Sequence, residues 1–150
     1  ECAALDWIIA SFHKDMLKPG TFEQHTNMYL KLAENPDVDV IGHCATVVCP
    51  FDYEKCLKKF KEYGKLVELN ESTILWKNTR ENYIEILKIC KKYDIPIVIN
   101  TDSHFCGIVG DITESEKLIE QLDFPKSLIL NSDWERLKDY IQSRHGSIWD

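Results

Sequence analysis

At 150 residues, 44% of them hydrophobic, the chain is long enough to bury a core and sits near the common size of one domain. Its net charge of -7 and pI near 5.2 exclude the basic stripe that a phosphate backbone demands, so no nucleic-acid partner is expected. No apolar run approaches the roughly 20 residues needed to span a bilayer, which predicts a soluble chain with no membrane partner.

Five apolar, β-branched runs recur with starts about thirty residues apart, the length of a βα unit. Trp7 to Ala10 is the first, and WIIASFH carries it to His13. Thr21 with Gln24 then has capping-box spacing for a helix that holds His25 in its first turns. Val38 to Ile41 is the second run; VDVIGH ends on His43, with Cys44 and Cys49 just beyond. Asp52, after Pro50, is a plausible N-cap, and Lys55, Lys58, Lys59 and Lys61 read as the solvated face of the helix it starts. Leu66 to Leu69 is the third run, closing as VELN with Glu68 and Asn70 at its end. The loop ESTILWKNTR offers Lys77 and Arg80 as cations for an anionic substrate. Asn78 with Glu81 then starts a helix whose Tyr83, Ile86, Leu87 and Cys90 form one stripe. Ile95 to Ile99 is the fourth run, and IPIVINTDSH extends it to Asp102 and His104, two residues before Cys106. Thr113 with Glu116 marks another helix, Ser127 to Leu130 is the fifth run, and Ser132 with Glu135 starts the last helix, which ends near His145.

Regular βα alternation implies parallel strands with right-handed crossovers, hence a doubly wound sheet or a (β/α) barrel. Candidate ligands from three strand ends must converge, and a barrel gathers its strand ends around one mouth, which favours the barrel. Six cysteines in a chain that is neither small nor loop-rich and carries no signal peptide predict reduced, cytoplasmic thiols. Cys2, Cys56 and Cys90 read as small core residues.

Imidazole nitrogen and carboxylate oxygen suit zinc, manganese or iron, and a hydrolytic site leaves a coordination position for water. His13, His43, Asp102 and His104 are the candidate ligands. Asp102 and His104 form D-x-H, whose alternation in an extended segment lets both face one metal cluster. Glu68 and Asn70 line the same mouth, with Glu68 as a ligand, a general base or a group that orients a histidine. His25 and His145 read as ordinary helix residues, His145 suiting the helix dipole. His43, Cys44 and Cys49 form a weak candidate for a thiolate zinc site, lacking a second paired half. Phosphate-binding glycine loops and a G-x-S-x-G elbow are absent.

The segments DWIIASFH, DVIGH, LVELN, TDSH and DFPKSLILN, in this order over nearly the whole chain, resemble the PHP family (polymerase and histidinol phosphatase domains), in particular its YcdX-type bacterial phosphatases. The resemblance implies a distorted (β/α)7 TIM-like barrel with up to three divalent metals, often zinc, that hydrolyses small phosphorylated substrates. It assigns the positions of His13 and His43 to one metal, Asp102 to a second and His104 to a third, with Asp102 and His104 at the catalytic centre.

Members of that family begin with an H-x-H motif, two further histidines and a bridging glutamate that this sequence lacks. Residues 1-150 are therefore expected to be the C-terminal part of one metallohydrolase domain, its last five or so βα units. Cys44 stands where the family commonly has proline. Such a piece is expected to bind metal weakly, to show little catalysis, and to self-associate through unpaired strand edges. A decayed barrel with a structural or interaction role and a metal-dependent amide hydrolase are the alternative readings.

Overall fold

The computed structural model describes residues 5–146 and shows an α/β unit on one open parallel sheet. Strands β1 (Ile9–Ser11), β2 (Val40–Gly42), β3 (Leu66–Asn70) and β4 (Ile97–Asn100) lie side by side in chain order. Helices α1 (Phe22–Glu34) and α2 (Tyr53–Glu62), then α3 (Glu71–Ile74) with α4 (Thr79–Tyr93), make the crossovers, and α5 (Thr113–Gln121) and α6 (Trp134–His145) follow β4. No described helix is long and apolar enough to cross a membrane.

Four strands form where five runs lead one to expect five. The run from Ser127 to Leu130 is broken by two 3-10 turns, Lys126–Leu128 and Leu130–Ser132, and meets β4 through a single parallel bridge, Ile97 to Ile129. Pro125, just before it, lacks the amide hydrogen a strand would use, and Asn131 takes over the pairing. Its side-chain carbonyl accepts from the Ile99 amide at 3.0 Å and its amide donates to the Ile99 carbonyl at 2.8 Å. One side chain thus imitates a strand's peptide group.

Alternation sorts the two faces of the sheet. Ile41, Val67, Leu69 and Ile97 join a large core with Tyr29, Phe60 and Tyr83 from the crossover helices. The stripe of Tyr83, Ile86, Leu87 and Cys90 on α4 is buried as its spacing predicts. Each such side chain contributes about 1.5–3 kcal/mol by leaving water. The other face changes character along its length. Val40, Leu66 and Val98 pack with Leu130, Trp7, Leu137 and Tyr140 at the N-terminal end of the strands, whereas Glu68, Asn70 and Asn100 stand at the C-terminal end.

The start signals divide. Thr21 and Gln24 make a complete capping box, and Asp52 caps α2 by accepting from the Lys55 amide. Asn78 instead adopts a left-handed conformation with φ 64° and makes no side-chain cap. Ile112 stands at the N-cap of α5 without a side-chain bond, the amides of Glu114 and Ser115 donating to Glu71 and that of Thr113 to Asp111, and Asp133 replaces Ser132, accepting from the Arg136 amide. In both cases a carboxylate takes the helix N-terminus, where its negative charge suits the dipole.

A second polar cluster closes the N-terminal end of the sheet. Asp39, fully buried, accepts from Arg144 Nε and pairs with His145 Nε2, each at 2.9 Å, and its other oxygen accepts from the Ile8 amide. Lys65 donates to the carbonyls of Asn35 and Val38, and burial beside Arg144 pulls its ammonium down to about 8. His145 is therefore an Asp39 partner that ties α6 to the sheet. The lysines of α2 lie on its solvated side, where Lys58 pairs with Glu54. Cys44, Cys49, Cys56 and Cys90 are buried free thiols and Cys106 is exposed; Cys2 lies outside the described residues.

Candidate functional site

The C-terminal ends of the strands open into a cleft of about 700 Å³. His13 follows β1, His43 follows β2, Glu68 and Asn70 end β3, and Asp102 and His104 follow β4; all six line it. The strand-end residues that the sequence singles out are thus brought together, with Asn100 added from β4. Asn100 escapes the sequence reading because an amide at a strand end has no distinctive spacing.

Two imidazoles meet at the centre of this arrangement. His13 Nε2 and His43 Nε2 are 3.3 Å apart with their rings nearly perpendicular, and His43 Nδ1 is buried without a partner among the described residues. His43 is 8% exposed, whereas His13, Asp102 and His104 are open to solvent.

Glu68 organises the cleft floor. One carboxylate oxygen accepts from the His43 backbone amide at 2.7 Å and from Asn70 Nδ2 at 3.2 Å, and the other accepts from Asn100 Nδ2 at 2.8 Å. Asn70 Nδ2 also donates to Asp102 Oδ2 at 3.2 Å, while Asn70 Oδ1 accepts from the Thr73 amide to cap α3. Tyr83 donates nothing to the cleft; its hydroxyl accepts from the Asn70 amide and so fixes the end of β3 from behind. Glu68 thereby holds two strand ends and Asn70 joins it to Asp102.

The backbone is strained where these residues sit. His43 has φ 28° and Asp102 φ 48°, conformations that cost an L-residue on the order of 1–3 kcal/mol and gather at functional sites. Gly42 explains how β1 comes close enough to deliver His13. A Cβ at Gly42 would stand 2.2 Å from Ser11 Oγ and 2.9 Å from Ile9 Cγ2, so a side chain there displaces those of the two β1 residues that flank it.

The donor set fits a metal in part. Two imidazole nitrogens bound tetrahedrally at zinc distances stand roughly 3.3–3.4 Å apart, which the His13–His43 pair matches. Among the described residues, no group of three or more histidine, cysteine, aspartate or glutamate side chains is gathered closely enough to hold an ion. Cys44 and Cys49 are buried free thiols; burial pushes Cys44 far up, and lifts Cys49 to about 11.

The remaining candidates go elsewhere. Lys77 lines a neighbouring cleft that shares His13 and His43. Arg80 lines neither cleft; its guanidinium donates to Gln121 Oε1 on α5 at 2.9 Å. His25 is buried, accepting at Nε2 from the Gly20 amide and donating from Nδ1 to the Pro50 carbonyl. Cys106 is exposed in the 3-10 turn Cys106–Ile108 after β4 and does not line the cleft.

No family model matches the chain. Among known proteins it is similar to a probable phosphatase of Clostridium novyi, 38% identical over 144 residues, and to one of Acetivibrio thermocellus, 38% identical over 141. A probable phosphatase of Clostridium acetobutylicum is 32% identical over 142 residues. Each alignment takes in 93% of this chain, and the chain spans 58% of the length of these relatives.

Proposed function

We propose that the chain is part of a metal-dependent phosphoesterase of PHP type, acting on small phosphorylated substrates, and that its four-stranded sheet is an arc of a TIM-like barrel. One observation carries this reading: residues from three strand ends share one polar cleft in which the His13 and His43 nitrogens stand 3.3 Å apart. Relatives named as probable phosphatases support it. The order of the strands, sequential and without reversal, supports the barrel, since doubly wound sheets reverse theirs.

His13 and His43 would hold one divalent ion, zinc first, with manganese or iron as alternatives. Asp102 and His104 would serve further ions, up to three in the complete protein, and face the reacting phosphoryl group. A metal held here supplies Lewis acidity and makes water a nucleophile near neutral pH.

The chain's own groups do the positioning. Glu68 fixes the His43 backbone through its amide and steadies Asn70 and Asn100. Asn70 donates to one Asp102 oxygen and so sets the direction of the carboxylate. Lys77, at the rim shared by His13 and His43, offers a cation to an anionic substrate.

Metal content by elemental analysis and phosphate release from para-nitrophenyl phosphate test the reading, in this chain and in a full-length form. In the full-length form, His43→Ala and Asp102→Ala are each expected to cut turnover at least a hundredfold and to lower bound metal. Unchanged turnover in both variants overturns the assignment.

A further inference from the structure

The cleft that Lys77 lines holds more than that one cation. It measures about 350 Å³ and adjoins the first, the two sharing His13 and His43 as a common wall. Its chemistry differs from that of its neighbour. Phe12, Val47, Val48 and Trp76 give it an apolar wall, with the Trp76 side 55% exposed. Lys14 and Lys77 stand at it, exposed and in no ion pair among the described residues, against the single carboxylate of Asp15.

Three buried polar atoms of its lining residues lack partners. Thr46 is 3% and Thr79 1% exposed, and both hydroxyls lack a hydrogen-bond partner among the described residues, as does His43 Nδ1. A buried polar atom left unpaired costs about 1–3 kcal/mol, so each of the three gains from any hydrogen bond brought to it. An exposed indole beside unpaired ammonium groups suits a flat ring that carries negative charge.

We propose that this second cleft receives the leaving group of the phosphoester, and that the leaving group is a planar apolar ring with an anionic substituent. This rests on the phosphoesterase reading, because the shared His13–His43 wall sets the ring beside the phosphoryl position. Trp76 stacks on the ring, Lys14 and Lys77 meet its charge, and Thr46 and Thr79 supply hydrogen bonds at its edge. The residues that choose the substrate are thereby distinct from those that act on the phosphoryl group.

Direct binding to the 150-residue chain tests the subsite without turnover. By calorimetry, 2-naphthoate is expected to bind saturably, at least tenfold more tightly than cyclohexanecarboxylate, which is not flat, or 2-naphthol, which is not charged. Trp76→Ala, and the double variant Lys14→Gln with Lys77→Gln, should each weaken it tenfold or more. Thr79→Val should weaken it severalfold. Equal binding of the three probes, or unchanged binding in the Trp76 and double lysine variants, overturns the proposal.

The link to catalysis is read from 6-carboxy-2-naphthyl phosphate against 2-naphthyl phosphate in a metal-loaded, full-length form. A tenfold preference in kcat/KM for the first, lost in the double lysine variant, supports the leaving-group role; no preference overturns it. Absence of phosphate release from both esters counts against the phosphoesterase reading and so against the leaving-group role, while the naphthoate measurement still decides whether the cleft binds a planar anion.

Discussion

The two ends of the sheet both carry buried polar groups, yet they are built to opposite rules. At the N-terminal end Asp39 meets Arg144, His145 and the Ile8 amide, and Lys65 meets two carbonyls; positive groups answer the buried carboxylate. At the C-terminal end Glu68 and Asp102 are bridged by amides and form no ion pair among the described residues, two imidazoles face each other, and His43 and Asp102 hold positive φ. A closed network with every group paired holds a fold together. An open one with strained backbone and spare acceptors is arranged for something that arrives from outside.

Removing a partner from the closed end should have the largest effect. Asp39→Ala removes the buried carboxylate that Arg144 Nε, His145 and the Ile8 amide share, and urea unfolding is expected to show a loss of about 3–5 kcal/mol. A loss below 1 kcal/mol would mean that the two ends do not differ in kind. Gly42→Ala should come next, since the added methyl collides with Ser11 and Ile9; a loss of about 1–3 kcal/mol is expected, together with weaker zinc binding as His13 is pushed from His43.

Where the open end is strained, at Asp102, the sign should reverse. Asp102→Gly relieves a left-handed backbone and is expected to raise thermal stability slightly, by up to about 1 kcal/mol, while abolishing turnover. A clear loss of stability would make Asp102 a structural residue like Asp39.

The smallest effect lies in pH. Lys65 titrates near 8 in the folded chain against an ordinary 10.5, so between these values the unfolded chain binds more protons and this group's contribution to stability rises with pH. The stability of the native chain relative to Lys65→Met should therefore climb between pH 7 and pH 10. A flat difference in urea titrations at the two pH values would contradict the buried ammonium.

The open end was far more legible in the sequence than the closed one. His13, His43, Asp102 and His104 announce themselves as polar residues ending apolar runs, because a strand end is fixed by hydrophobic pattern. Asp39 sits inside such a run, and its partners Arg144 and His145 lie more than a hundred residues away, so local pattern cannot pair them. His145 looked like a helix-dipole cation for that reason. Thr46 and Thr79 were equally silent, since a hydroxyl without a partner is a property of packing. The fifth run misled because β-branched composition outweighed the turn chemistry of Pro125 and Asn131.

Asn131 also leaves the sheet with two unlike edges. Its side chain occupies the Ile99 peptide group, so the far edge of β4 is already spoken for, while β1 keeps an outer edge without a neighbouring strand among the described residues. An edge held by one side chain is only as secure as one rotamer, so Asn131→Ala would bare the amide and the carbonyl of Ile99 together and speed hydrogen exchange there.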